Sequence, residues 1–140
     1  MILFDTSVLS RVFRRRRPGA EERRLQAKFE ELMVSDERLG LPGIVLQEVL
    51  SGMASPKQFA DLRGRLLAAL TVIPASREDH LEAARLKNLC MGKGLNVSGI
   101  DCLIAATALA GNHELFAVDG DFEDISKHAP LRLYRVVDVE

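Results

Sequence analysis

The sequence has only two cysteines, Cys90 and Cys102, and their spacing matches no metal-binding pattern. A zinc site is therefore not expected; a reduced, buried pair is. There is no surplus of charge either. Nineteen Lys and Arg stand against 20 Asp and Glu, a net charge of −1. Nothing global marks a nucleic-acid binder, so any basic site has to be a local patch. No apolar run approaches membrane-spanning length, and no membrane contact is expected. Asp5 interrupts the opening apolar stretch too early for a signal-peptide core, which makes a reducing cytoplasm the expected compartment. His80, His113 and His128 lack ligand spacing. A nucleophile elbow, a phosphate-cradling glycine loop and a Cys/His cluster are all missing. So are internal repeats, linkers and low-complexity segments, apart from the run Arg14 to Arg17.

What is present suits one domain over residues 1–140, with enough chain to bury a core. The hydrophobic fraction of 47% and the charged fraction of 28% are those of an ordinary globular protein. Short apolar runs alternate with helical patterns. Met1 to Phe4, Leu39 to Pro42, Leu70 to Ile73 and Leu115 to Val118 read as strands, and Arg132 to Val137 as an edge strand. Thr6 and Ser7 offer caps for a helix reaching Phe13. Glu21 to Met33 forms another, with Leu25, Phe29, Leu32 and Met33 on one face. Ile44 to Leu50 follows Gly43. Ser55 and Pro56 open a helix carrying Phe59, Leu62, Leu66, Leu67 and Leu70 inward. Ser76 caps a helix to about Leu89, with Leu81, Ala84, Leu86 and Leu89 facing the core. The alternation predicts an α/β fold, a parallel sheet of four to five strands sandwiched between helices.

One stretch organises the rest. Gly99 to Ala110 reads as a buried helix of small and apolar residues around one carboxylate, Asp101. With Ser98 as N-cap, Asp101 sits in the first turn, where the helix dipole and free N–H groups favour negative charge. Capping alone would account for it. Yet Asp5 and Asp119 close strands and Glu48 lies on the helix after the second strand. Ligands of parallel sheets bind beyond the carboxyl ends of the strands, so the topology permits these acids to meet. Each has a plainer reading: Asp5 as a helix cap, Glu48 as a solvent-facing residue, Asp119 and Asp121 as a turn about Gly120. If they do meet, repulsion raises their pKa values unless a cation intervenes. An all-oxygen set selects Mg²⁺ or Mn²⁺.

Four blocks in this order carry a family resemblance: Leu3-Phe4-Asp5-Thr6-Ser7-Val8-Leu9, Gln47-Glu48-Val49-Leu50-Ser51-Gly52, Gly99 to Ala106, and Leu115 to Phe122. Through them the chain resembles PIN-domain ribonucleases, specifically the VapC toxins of bacterial and archaeal toxin–antitoxin pairs, over nearly its whole length. The resemblance implies Mg²⁺- or Mn²⁺-dependent cleavage of RNA, with tRNA a frequent kind of target. It implies catalytic roles for Asp5, Glu48, Asp101 and Asp119, metal binding by Asp5, Asp101, Asp119 and Asp121, and support of Asp5 by Ser7. It also implies a small antitoxin partner and a homodimer. Two positions depart from the pattern. Ala117 stands where many relatives carry Thr or Ser, and Gly43 where a Ser or Thr often caps the Glu48 helix.

Arg11 and Arg14, Arg15, Arg16 and Arg17 follow the helix that starts at Asp5. Clustered arginines bind phosphates through counterion release, so an RNA-binding role is expected there, against the plainer reading of a solvated loop. The same guanidinium groups suit an acidic antitoxin segment. Two other readings compete. A PIN-fold module could hold RNA or a protein without cutting. A receiver-type signalling domain also places Asp at strand ends, but it wants paired acids after the first strand, where Thr6 and Ser7 stand here.

Overall fold

The computed structural model describes residues 1–13 and 16–136. Five short parallel strands form one sheet in the order β3-β2-β1-β4-β5. They are β1 (Ile2–Phe4), β2 (Leu39–Pro42), β3 (Thr71–Ile73), β4 (Glu114–Phe116) and β5 (Arg132–Leu133). The helices are α1 (Thr6–Val12), α2 (Ala20–Met33), α3 (Gly43–Leu50), α4 (Pro56–Ala69), α5 (Arg77–Gly92), α6 (Gly99–Ala110) and α7 (Asp121–Ser126). The central strands β1 and β2 are buried along their full length, which is why they read as unbroken apolar runs. Register places Leu3 opposite both Gly40 and Leu115. Gly40 is dictated by space, because a Cβ there would lie 2.7 Å from both Met1 Sδ and the Thr71 carbonyl.

The strand ends differ from the sequence reading at one edge. β4 stops at Phe116, and Ala117 and Val118 leave the sheet. β5 has two residues, and Val137, expected in that strand, lies outside the described residues. Asp121 to Ser126 coils into α7 where only a turn was expected. Phe122 and Ile125, three residues apart, are both fully buried, and that burial holds so short a helix.

Helix caps follow the sequence closely. Ser55, Ser76 and Ser98 each accept a backbone N–H from the first turn, and Ser76 forms a capping box with Asp79. For α1 the cap is Asp5 itself, and Thr6 and Ser7 fall inside the helix. The inward faces are narrower than expected. On α5 the buried positions are Asp79, Ala83, Leu86 and Cys90, while Leu81 is 65% exposed and Ala84 is also outside. The stripe is rotated because the core takes the face of Ala83, Leu86 and Cys90. Met33, Phe59 and Leu67 also stay partly exposed, at 44%, 40% and 42%, leaving Leu25, Phe29, Leu32, Leu62 and Leu66 to fill the core. Phe4 anchors that core, with ring centroids 5.3 Å from Phe29 and 5.5 Å from Phe116.

Candidate active site

The neighbouring strands β1 and β4 end beside the groups that build the site. β1 runs out at Phe4, and the backbone turns at Asp5 to start α1. Asp5 N donates to the Phe116 carbonyl at 3.0 Å, so the carboxyl ends of β1 and β4 are tied together. The Asp5 side chain is 3% exposed. Its Oδ2 accepts Ser7 N at 3.1 Å and Ser7 Oγ at 2.5 Å. Ser7 Oγ in turn accepts Val118 N at 3.1 Å, so one hydroxyl links the first acid to the segment carrying Asp119.

Asp119 and Asp121 flank the start of α7. Asp119 Oδ1 accepts Asp121 N at 2.9 Å, the turn expected about Gly120. Asp121 Oδ2 reaches back to accept Ser98 N at 3.2 Å. Ser98 Oγ accepts Asp101 N at 3.0 Å, which places Asp101 in the first turn of α6 as expected. One carboxylate oxygen from each of Asp101, Asp119 and Asp121 lies within 4.8 Å of the others.

The electrostatics report the crowding. Burial raises the Asp5 carboxyl above its ordinary value; the Ser7 bonds oppose this, and the Asp119 charge adds to it. Asp101 is pushed up to about 8, first by burial, then by its hydrogen bond with Asp121 and the charges of Asp119, Asp5 and Asp121. A positive ion beside these carboxylates would offset their repulsion and favour the charged forms. The donor set is wholly carboxylate oxygen, the chemistry of hard divalent cations, and the residues fit such an ion.

Glu48 stands slightly apart. It projects from α3, and its Oε1 accepts Thr6 Oγ1 at 2.8 Å, on the residue next to Asp5. The Glu48 helix has Pro42 at its cap and no side-chain cap bond, as Gly43 implied. The structure thus groups Asp101, Asp119 and Asp121, sets Asp5 within the electrostatic reach of Asp101 and Asp119, and ties Glu48 to Thr6, outside that group. Two contributors escaped the sequence reading: Thr6 as the Glu48 anchor, and the Ser98 backbone as the Asp121 donor. Ser98 was legible as a cap, but nothing local signals that its N–H points at a residue 23 positions on.

The expected RNA-binding arginines divide. Arg11 Nη1 donates to the Ser7 carbonyl at 2.6 Å, and its Nε lies 3.8 Å from Glu21, so it braces α1. Arg16 and Arg17 are exposed between α1 and α2. Arg14 and Arg15 lie outside the described residues. Among the described residues no helix is long and apolar enough to cross a membrane.

The strand order 3-2-1-4-5 differs from the 2-1-3-4-5 order of receiver domains. The PIN domain family matches the chain over residues 2–128. Among solved structures, the chain is similar to VapBC2 from Rickettsia felis bound to a DNA fragment from their promoter. The identity is 21%, the TM-score 0.75, and 96% of this chain and 98% of that one are covered. VapBC-1 from nontypeable Haemophilus influenzae is 19% identical, with a TM-score of 0.74 and coverage of 96% and 97%. VapC20 of Mycobacterium tuberculosis, a sarcin-ricin loop cleaving toxin, is 18% identical, with a TM-score of 0.66 and coverage of 88% and 93%. The five-stranded parallel sheet, the acids at its carboxyl edge and the match over residues 2–128 agree: the chain belongs to the PIN domain family.

Proposed function

We propose that this chain is a Mg²⁺- or Mn²⁺-dependent endoribonuclease, the toxin of a toxin–antitoxin pair, acting as one nuclease domain in the cytoplasm. The observation that carries the reading is the grouping of Asp101, Asp119 and Asp121 beside Asp5, with Asp101 pushed up to about 8. Asp5, Asp101, Asp119 and Asp121 would hold the ion. When bound, a hard divalent cation lowers the proton affinity of a water and supplies the positive charge that phosphodiester hydrolysis needs. The protein's own part is to fix the acids. Ser7 locks the Asp5 rotamer, Ser98 holds Asp121, and Thr6 holds Glu48 as a further carboxylate next to Asp5.

Two similar proteins are toxin–antitoxin assemblies and a third is an RNA-cleaving toxin, which supports a small antitoxin as partner and RNA as substrate. A groove of ≈ 600 Å³ supports the same partner, its lining mixing apolar Phe13, Phe29 and Met33 with polar Glu30 and Arg65. The exposed Phe59 and Leu67 of α4 support a homodimer. The alternative, a PIN-fold module that binds without cutting, draws only on the hydroxyl missing at Ala117.

The test is cleavage of a mixed RNA substrate by metal-stripped protein given back Mg²⁺ or Mn²⁺. The parent should cut, and Asp5→Asn and Asp101→Asn should each lose at least about a hundredfold, because the amide keeps the shape without the charge. Cutting in EDTA, or undiminished cutting by either variant, rejects the mechanism.

A further inference from the structure

Beside the acids, the carboxyl edge of the sheet continues into a second cleft, of ≈ 590 Å³, that no catalytic residue occupies. It lies where β4 and β5 end, with the start of α2 as its far wall. Its inner surface is Phe116, Ala117 and the half-buried ring of Tyr134. Val118 forms the rim shared with the acids, since its N–H is bound by Ser7 and the next residue is Asp119. The volume falls within the range of small-molecule sites.

The lining has a particular chemistry. Tyr134 is fixed by its own backbone, whose N–H donates to the Leu115 carbonyl at 2.8 Å, and by its ring, 5.0 Å from that of Phe116. An aromatic side chain held this way loses little freedom on binding. Arg24 and Arg135 stand on the walls, Arg135 in an ion pair with Glu123, and Lys28, paired with Glu31 at 3.0 Å, places its Nζ over the Tyr134 ring, 5.9 Å from the centroid. Glu21 is the one acid of the lining, and Arg11 lies 3.8 Å from it. Arg135 is held by a forked contact to Glu123 of α7, at 2.7 and 3.2 Å, so the cleft wall and the acid-bearing helix are one unit. Ala117, the departure from the family pattern, is the residue whose small side chain leaves the floor open.

From this arrangement we infer that the cleft is a nucleotide subsite. It takes the base of the residue adjoining the scissile phosphate against Tyr134 and its phosphate near Arg24 and Arg135. Single-stranded nucleic acid is held this way elsewhere, by aromatic platforms beside cationic walls. A strand laid along the sheet edge then reaches the acids and the cleft in succession. The inference rests on RNA being the substrate, and it adds the side of the site on which the chain is gripped.

The sequence supplies a direct reporter. Tyr134 is the only tyrosine, and there is no tryptophan. Intrinsic tyrosine emission therefore reads this one ring. In EDTA, where no cutting is expected, hexa-adenylate RNA should quench that emission saturably, and raised salt should weaken the effect. Anisotropy of the labelled hexamer should show about tenfold weaker binding for Tyr134→Ala and for Ala117→Leu, with affinity restored in Tyr134→Phe. The Mg²⁺-induced rise in melting temperature, which reads the acids alone, should be unchanged in all three. An inactive enzyme whose tyrosine is still quenched would refute the nuclease and leave the subsite standing. Absent binding, binding without quenching, parent affinity in Tyr134→Ala, or quenching by a polyglutamate peptide and not by RNA would each overturn it.

Discussion

Thr6 Oγ1 donates to Glu48 Oε1 at 2.8 Å across 42 positions of sequence. The bond joins the first turn of α1 to α3 and holds the one site carboxylate that comes from neither a strand end nor the α6–α7 pair. Thr6→Val keeps the shape and removes the donor. It should cost about 1 kcal/mol of stability, as a half-buried hydrogen bond does. Cleavage should fall about tenfold with substrate affinity little changed, which kcat and KM measured separately would show.

Asp101 ties stability to pH. Without metal its folded pKa is about 8 against an ordinary 3.8, so the folded protein holds this proton more tightly than the unfolded chain. Its contribution is present at pH below the unfolded value and is lost as pH rises toward 8. The melting temperature of metal-free protein should therefore fall between about pH 4 and 8. Mg²⁺ should restore it most at the alkaline end. Asp101→Asn removes the charge, so at pH 8 the metal-free variant should melt a few degrees above the parent while losing most of the Mg²⁺ effect. Calorimetry over that pH range, with and without Mg²⁺, decides it.

Ser98 serves α6 through its hydroxyl and Asp121 through its backbone. Ser98→Ala removes only the first. It should lower stability by about 1 kcal/mol, measured by urea unfolding. Because the N–H to Asp121 survives, Mg²⁺ affinity should change less than threefold.

Arg16 and Arg17 are exposed, and Arg11 is engaged with the Ser7 carbonyl. Replacing Arg16 and Arg17 by Ala should leave the melting temperature within about a degree and lower the slope of log Kd for RNA against log salt by about 1.4. An unchanged slope would make this part of the loop a solvated segment. Arg11→Ala should instead destabilise α1, which circular dichroism melts would register.

Local chemistry carried much of the fold. Cap residues Ser55, Ser76 and Ser98 act within one turn of their own position, so sequence alone determines them. Fully apolar runs such as Leu3-Phe4 can only be buried strands or helix cores, and their alternation with helical patterns determined the parallel sheet. The acids were legible as types and positions for the same reason. Tertiary structure decided whatever depends on partners distant in sequence. Leu81 faces water because the core takes the Ala83, Leu86 and Cys90 face of α5. Asp121 to Ser126 coils because Phe122 and Ile125 find a core. Ser7 binds Val118 across 111 positions, and no periodicity encodes such a pair. The carboxylate charges lie in the sequence; the rise of Asp101 to about 8 comes only when folding buries it and brings Asp5, Asp119 and Asp121 alongside.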